Sequence, residues 1–218
     1  VRTTSDGESW IDHISSRLSG DDVAGSGFVV HQFVDETEDR IWMRELEHRA
    51  SHDVLTGVAN RRSLLTHLDR LLDAGRATGR MAEGIGVLFV DVDNLKQIND
   101  AHGHEAGDRA LKLIASAFKG EMRAQEVLAR SGGDEFIVIC PDTGLEAALA
   151  CAERMRAAAA AQPIVGGAQP VHSTVSIGVA VRDASVADSA TLIRLADQGA
   201  YLAKRNRNSV ATMQTVSA

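Results

Sequence analysis

Four acidic residues stand in two pairs: Asp91 and Asp93 on either side of Val92, and Asp134 beside Glu135. Carboxylates grouped this way are oxygen ligands for a hard cation. A cation held by only a few carboxylates keeps positions open for substrate phosphates. Asp134 and Glu135 follow Gly132-Gly133 directly, and bare glycines let a large ligand approach the backbone. A Gly-Gly turn followed by acids is also how an ordinary solvated hairpin reads. That pair alone does not decide between the two.

The flanking runs say what positions these acids. Gly86-Val-Leu-Phe-Val90 is a continuous apolar run, as in a strand buried on both faces, and it delivers Asp91 at its exit. Val127–Ala129 and Phe136–Ile139 are β-favouring runs around Gly132-Gly133, which reads as a two-residue hairpin turn needing positive φ. A buried strand beside that hairpin would let the acids meet.

The other elements follow from periodicity and caps. Asn60 reads as the N-cap of a helix from Arg61 to about Asp73, with Leu64, Leu65, Leu68, Leu71 and Leu72 as its core stripe. Residues 75–84 read as a loop, and a helical turn carrying Lys96 and Asn99 follows the Asp91 strand. His102-Gly-His104 could bind zinc, but no cysteine or third histidine lies nearby, so it reads as a turn before a helix. That helix runs to about Phe118, with Ala106, Ala110, Leu113, Ile114 and Ala117 on one face. Leu145, Leu149, Ala152, Met155 and Ala159 mark another amphipathic helix. A loop at 162–169, a strand Val171–Val181, a helix from Leu192 through Ala203 into Lys204, and a short strand Ser209–Met213 complete the pattern. The order strand, helix, hairpin, helix, strand, helix predicts an α+β fold, a ferredoxin-like core with a mainly antiparallel sheet flanked by helices.

Composition narrows the function classes. The formal net charge of −7 argues against a nucleic-acid polymer as partner, because that affinity rests on a basic surface. Two cysteines in 218 residues, Cys140 and Cys151, both in apolar contexts, read as inert buried thiols of a reducing, cytoplasmic compartment. No run approaches the ~20 apolar residues of a membrane span, and no signal peptide is visible. A first residue Val1 in place of Met reads as a piece of something longer.

Gly132-Gly-Asp-Glu-Phe136 resembles the signature of the GGDEF family, the diguanylate cyclases. The resemblance extends, in family order, to Asp53-Val-Leu-Thr-Gly-Val-Ala-Asn-Arg-Arg62, Phe89-Val-Asp-Val-Asp-Asn-Leu-Lys-Gln-Ile-Asn-Asp100, Gly103-His-Glu-Ala-Gly-Asp108 and Val175-Ser-Ile-Gly178. It implies a palm-type domain that joins two GTP into cyclic di-GMP as an antiparallel homodimer, using magnesium, with manganese as an alternative. Asp91 and Asp134, helped by the Val92 carbonyl, would hold the metal, and Asp93 would support a second one. Glu135 would assist deprotonation of the nucleophile. Asn94, Leu95 and Lys96 would meet the terminal phosphates, and Asn99 and Asp108 the guanine. The guanine assignment suits the groups: an amide donates to O6 or N7, and a carboxylate accepts from N1–H and the amine. A catalytically silent domain that binds GTP or cyclic di-GMP as a regulatory or dimerisation module is the alternative, and the intact acids favour the enzyme.

Two places depart from the family's pattern. Lys204-Arg-Asn-Arg-Asn208 lacks the glycine of Lys-x-x-Gly-Arg-Asn, which puts Lys204 and Arg207 three apart. On a continuing helix they would still share a face toward the γ-phosphate. The inhibitory product site, Arg-x-x-Asp in relatives, reads Arg123-Ala-Gln-Glu126 here, with Arg154 matching the arginine contributed by the following helix.

Residues 1–34 read differently, as two strands, Trp10–Leu18 and Gly27–Val34. Asp6-Gly-Glu-Ser-Trp10, Gly27-Phe-Val-Val30 and Asp35-Glu-Thr37 are similar to the last part of a PAS sensor domain. Residues 35–52 read as a charged linker helix with few apolar positions, and 53–218 as the catalytic domain.

Overall fold

The computed structural model describes residues 2–4, 7–9, 11–18, 28–35, 37–77, 84–164, 171–182, 186 and 188–214. The stretch between the two N-terminal strands, Asp6, Trp10 and Gly27 of the sensor-like motif, and the centres of the loops at 75–84 and 162–169 lie outside them. The chain divides into two units, Val1–Ala50 and Ser51–Ala218.

In the first unit β1 (Arg2–Thr4) pairs antiparallel with β2 (Gly7–Ser9), a hairpin too short to be read from pattern. The two expected strands are β3 (Ile11–Leu18) and β4 (Phe28–Asp35), which pair antiparallel, in register from Ile11↔Asp35 to Leu18↔Phe28. Helix α1 (Thr37–Ser51) follows, with Ile41, Trp42, Met43 and Leu46 exposed.

The second unit is built on one six-stranded mixed sheet. In chain order its elements are β5 (Ala59–Asn60), α2 (Arg61–Ala77), β6 (Gly86–Val92), α3 (Leu95–His102), α4 (His104–Glu121), β7 (Val127–Gly132) and β8 (Glu135–Cys140). After these come α5 (Leu145–Ala160), β9 (Pro163–Ile164), β10 (Val171–His172), β11 (Val175–Val181), α6 (Ser189–Lys204) and β12 (Val210–Thr212). The strand order is β12-β11-β6-β8-β7-β5, and β9 pairs separately with β10. Pairings β11–β6, β6–β8 and β8–β7 are antiparallel, while the outer pairs β11–β12 and β7–β5 are parallel.

Alternation along β6 explains the layering. Leu88, Val90 and Val92 enter one core with Phe118 of α4, Phe136 of β8 and Met155 of α5. Val87 and Phe89 enter the other, with Leu64, Leu68 and Leu72 of α2 and Ala196 and Ala200 of α6. The sheet is therefore covered on both faces, which is why its central strands read as unbroken apolar runs. Phe118 and Phe136 meet edge to face, their centroids 6.1 Å apart. Asn60 caps α2 as expected, its Oδ1 accepting from the Ser63 N–H at 3.0 Å. Asp188 does the same for α6, accepting from the Thr191 N–H at 2.7 Å.

On β11, Gly178 faces the backbone of α6. A Cβ there would fall 1.9 Å from the Ala196 carbonyl oxygen and 2.0 Å from the Ala200 nitrogen. The helix lies on the strand backbone against backbone, and glycine alone leaves the room.

Three readings of the sequence are corrected. The hairpin turn is Gly133-Asp134, not Gly132-Gly133: Gly132 pairs with Glu135 after an irregularity at Arg130/Gly132, and Gly133 has φ 45°. Second, Val171–Val181 is not one strand. Ser173 and Thr174 interrupt it, because the Asp93 N–H donates to the Thr174 carbonyl at 2.8 Å and both hydroxyls donate to Asp93. Third, α6 does not continue to Arg207. It ends at Lys204, and Arg207 and Asn208 take left-handed backbone at φ 53° and 41°. Left-handed geometry costs a non-glycine residue roughly 1–2 kcal/mol. Here Asn208 is held on both sides: its N–H donates to Asp93 Oδ2 at 2.9 Å and its Oδ1 accepts from Arg156 Nη1 at 2.8 Å.

Candidate active site

The exit of β6 and the tip of the β7–β8 hairpin meet because the two strands are neighbours in the sheet. Asp91 stands directly across from Glu135 in the β6–β8 register. The Val92 N–H donates to the Asp134 carbonyl at 3.0 Å, which fixes the turn against the strand end. Asp91 Oδ2 accepts from Lys204 Nζ of α6 at 2.5 Å, whereas Asp91 Oδ1 is buried without a partner.

Burial pushes the Asp91 carboxyl above its ordinary value, and Asp134 and Glu135 push it the same way against the pull of Lys204. Burial likewise raises Glu135, with Asp134 and Asp197 adding to it, and these outweigh Arg61 and Lys204. Crowded carboxylates with one orphaned oxygen are short of positive charge. All the donors are hard oxygens, so the group has the chemistry to suit a magnesium-class cation, for which Asp91 and Asp134 could serve as ligands with Val92 and Glu135 adjacent.

Beside the acids lies a cleft of about 270 Å³ lined by Val92, Asp93, Asn94, Leu95, Lys96, Gln97, Asp134, Lys204 and Arg207. Asn94 adopts left-handed backbone (φ 60°) just before α3, so the chain turns sharply from strand to helix beside the cleft. A second cleft of about 360 Å³ shares Asn94, Gln97 and Arg207 and adds Ile98, His102 and His172. The two histidines come from segments 70 residues apart, and neither spacing nor motif marked them as neighbours of the site.

Asp93 sits at the edge of this group but is 2% exposed, and its carboxylate is engaged by three donors. Thr174 Oγ1 donates at 2.6 Å, Ser176 Oγ at 2.8 Å and the Asn208 N–H at 2.9 Å. It ties together the β6–α3 turn, the approach to β11 and the segment after α6.

Asn99 and Asp108 do not line either cleft, yet they belong to one helical hairpin, α3–α4. Asn99 Oδ1 is buried without a partner and lies only 2.0 Å from where a Cβ on Gly107 would be. Asp108 follows Gly107 and is exposed. Arg123, Glu126 and Arg154 stand apart from the clefts. Glu126 is buried and its Oε2 accepts from the Arg123 N–H at 2.7 Å, while Arg154 faces Glu121 at 3.7 Å.

A set that residue types alone did not reveal holds the hairpin from outside. Arg130 donates through Nε and Nη2 to the Gly133 carbonyl at 3.1 and 2.7 Å, and through Nη1 to Asp53 at 3.2 Å. Asp53 also accepts from the Thr56 N–H and hydroxyl at 2.9 and 2.6 Å. Burial would raise Asp53, but the bonds from Thr56 and Arg130 outweigh it and hold the carboxyl below its ordinary value. The sequence signal was Asp53-x-x-Thr56-Gly57, a side-chain-closed turn, but its partner lies 77 residues away.

Comparison with known proteins adds an independent line. The family model for the diguanylate cyclase GGDEF domain matches residues 50–209. The chain is 37% identical over 161 residues to the response regulator PleD of Caulobacter vibrioides, covering 72% of this chain and 35% of PleD. It is 38% identical over 165 residues to the diguanylate cyclase DgcP of Pseudomonas aeruginosa, covering 75% of this chain and 24% of DgcP. The chain thus spans about a third or less of these relatives. Among solved structures, the coiled coil and GGDEF domain of DgcB from Caulobacter crescentus, in complex with c-di-GMP, superposes with a TM-score of 0.73. That likeness has 26% identity and covers 80% of this chain and 91% of the other.

Proposed function

Since the chain belongs to the GGDEF family, we propose that its second unit joins two GTP molecules into cyclic di-GMP, releasing two pyrophosphates. The observation that carries this reading is the orphaned Asp91 Oδ1 next to Asp134 and Glu135, beside a cleft whose lining includes Asp134, Lys204 and Arg207. A magnesium ion bound there supplies Lewis-acid stabilisation of the α-phosphate and of the oxygens that attack and leave. The 3′-oxygen of one GTP forms a bond to the α-phosphorus of the other, and the bond to the β,γ-diphosphate breaks. Glu135 takes the 3′-hydroxyl proton, for which a carboxylate raised toward neutrality is better suited than an ordinary one. Repeating the step closes the ring, so each of two antiparallel subunits presents one GTP. Lys96 and the turn at Asn94-Leu95 receive the terminal phosphates, and Asn99 and Asp108 orient the guanine.

Incubating the protein with GTP and magnesium and separating the nucleotides by chromatography tests the reading. Cyclic di-GMP and pyrophosphate are the expected products, and unchanged GTP would overturn it. A second reading, a domain that binds nucleotide without turning it over, draws on the end of α6. There Lys204 is engaged with Asp91, and Arg207 is off the helix. If both cations reach the γ-phosphate, GTP binds at least about tenfold tighter than GDP, one charge-assisted bond being worth roughly 1.5–3 kcal/mol. Calorimetry that finds equal affinities would favour the silent module.

The Asn99 assignment has its own test. In Gly107→Ala the three atoms nearest the new methyl all belong to the Asn99 side chain, so the amide must turn away. The KM for GTP should rise about tenfold or more with the melting temperature nearly unchanged. An unaltered KM would remove Asn99 from guanine recognition.

In the same proposal the product binds a separate regulatory site through the exposed Arg123 and Arg154, while buried Glu126 braces the turn by accepting from the Arg123 N–H. Residues 1–34 are the end of a PAS-like sensor, a reading supported by the antiparallel β3–β4 pair, and α1 links it to the catalytic unit. Among the described residues no helix is long and apolar enough to cross a membrane, and the proposal places the protein in the cytoplasm.

A further inference from the structure

Glu126 precedes β7, Cys140 ends β8 and Cys151 lies on α5. One carboxylate oxygen and the two sulfurs all lie within 4.8 Å of one another, and all three residues are buried. They sit away from the clefts that would take GTP, and the proposed reaction does not use the thiols. We infer that Glu126, Cys140 and Cys151 form a binding site for a zinc-class divalent cation beneath the Arg123–Glu126 turn.

The donor set selects the cation. Two thiolates exclude magnesium, which takes oxygen ligands, and suit zinc or cadmium. In a tetrahedral site with Zn–S near 2.3 Å, ligand atoms stand roughly 3.5 Å apart, so closing this cluster needs shifts of about 1 Å. Water completes the fourth position. The hydrogen bond from Cys140 lowers Cys151, with Arg154 and Arg123 helping against burial and Glu126, whereas that same bond and burial push Cys140 up, so the ion itself must displace the Cys140 proton. The same two arginines offset the single net negative charge left by two thiolates, one carboxylate and a divalent ion.

The site is also coupled to its surroundings. Glu126 already accepts from the Arg123 N–H at 2.7 Å, and a carboxylate can do this with one oxygen while binding a cation with the other. Arg123 and the two residues after it are exposed, so the ion would enter one layer below the surface and stiffen the turn that carries Arg123.

Cadmium is the probe, because thiolate-to-cadmium charge transfer gives an ultraviolet band and the chain has only two cysteines. Titrating the metal-free, phosphine-reduced protein with cadmium should raise the band to saturation at one equivalent. Zinc should displace it, and a large excess of magnesium should not. Cys151→Ala should lose the band, with Cys151→Ser as the variant if the cavity unfolds the protein. Glu126→Gln should keep a band but weaken cadmium affinity about tenfold or more. Absence of a band in the parent protein, displacement by magnesium, or a full band in either Cys151 variant would overturn the assignment.

Discussion

Replacing Asp134 or Glu135 by Ala is expected to lower cyclic di-GMP formation by about a thousandfold or more, which corresponds to roughly 4 kcal/mol of transition-state stabilisation. The loss should not come from unfolding. The Asp134 contact that fixes the hairpin to β6 is made by its main-chain carbonyl, which Ala retains. Its side-chain charge works against the fold, since it pushes both Asp91 and Glu135 up. The melting temperature of metal-free Asp134→Ala should therefore equal or exceed that of the parent. Product chromatography with thermal melting checks both halves. Turnover within tenfold of the parent would remove the acid from the chemistry, and a large drop in melting temperature would give it a structural role instead.

The second large effect is on stability. Gly178→Ala places a methyl inside the backbone of α6, where no side chain can rotate aside. Either the helix lifts from the sheet or β11 distorts, and Ala196, Ala200 and Lys204 move with it. Overpacking of this kind costs about 3 kcal/mol or more, or on the order of 10 °C in melting temperature for a domain of this size. Gly120→Ala, near the end of α4, is the control, because nothing lies within 4 Å of its Cβ. It should leave stability unchanged or raise it by up to about 1 kcal/mol. Equal melting midpoints for the parent and Gly178→Ala would refute the close approach of helix and strand.

What could be read in advance was local. The apolar run at Gly86–Val90 and the leucines of α2 carry their period in consecutive residues, and Asn60 carries its cap in its own side chain. The acids were legible because strand exits and hairpin tips are marked by short patterns. Apart from the one-residue shift of the hairpin turn, the departures were non-local. Ser173-Thr174 looks like strand by propensity, and only Asp93, 80 residues earlier, breaks it. The left-handed Arg207 and Asn208 have no glycine to announce them, and the bonds that hold Asn208 come from Asp93 and Arg156. The ion pair of Lys204 with Asp91, which joins α6 to β6, likewise had no local signal. The support of the hairpin by Asp53 and Arg130 spans 77 residues and could not be seen from either end.

The bonds at Asp93 also set an order of events in folding. Its carboxylate waits for Ser176, 83 residues on, and for the Asn208 amide, 115 residues on. Contacts of such high sequence separation close late, after local helices and the hairpin have formed. A chain still being synthesised carries β6, α3 and the acidic hairpin well before residue 208 emerges. Until then Asp93 is a buried-to-be carboxylate without its donors, and the turn that faces the cleft has no anchor. On the proposed function, activity then awaits the emergence of residue 208, and a fragment that stops before it is expected to be inactive although every acid is in place.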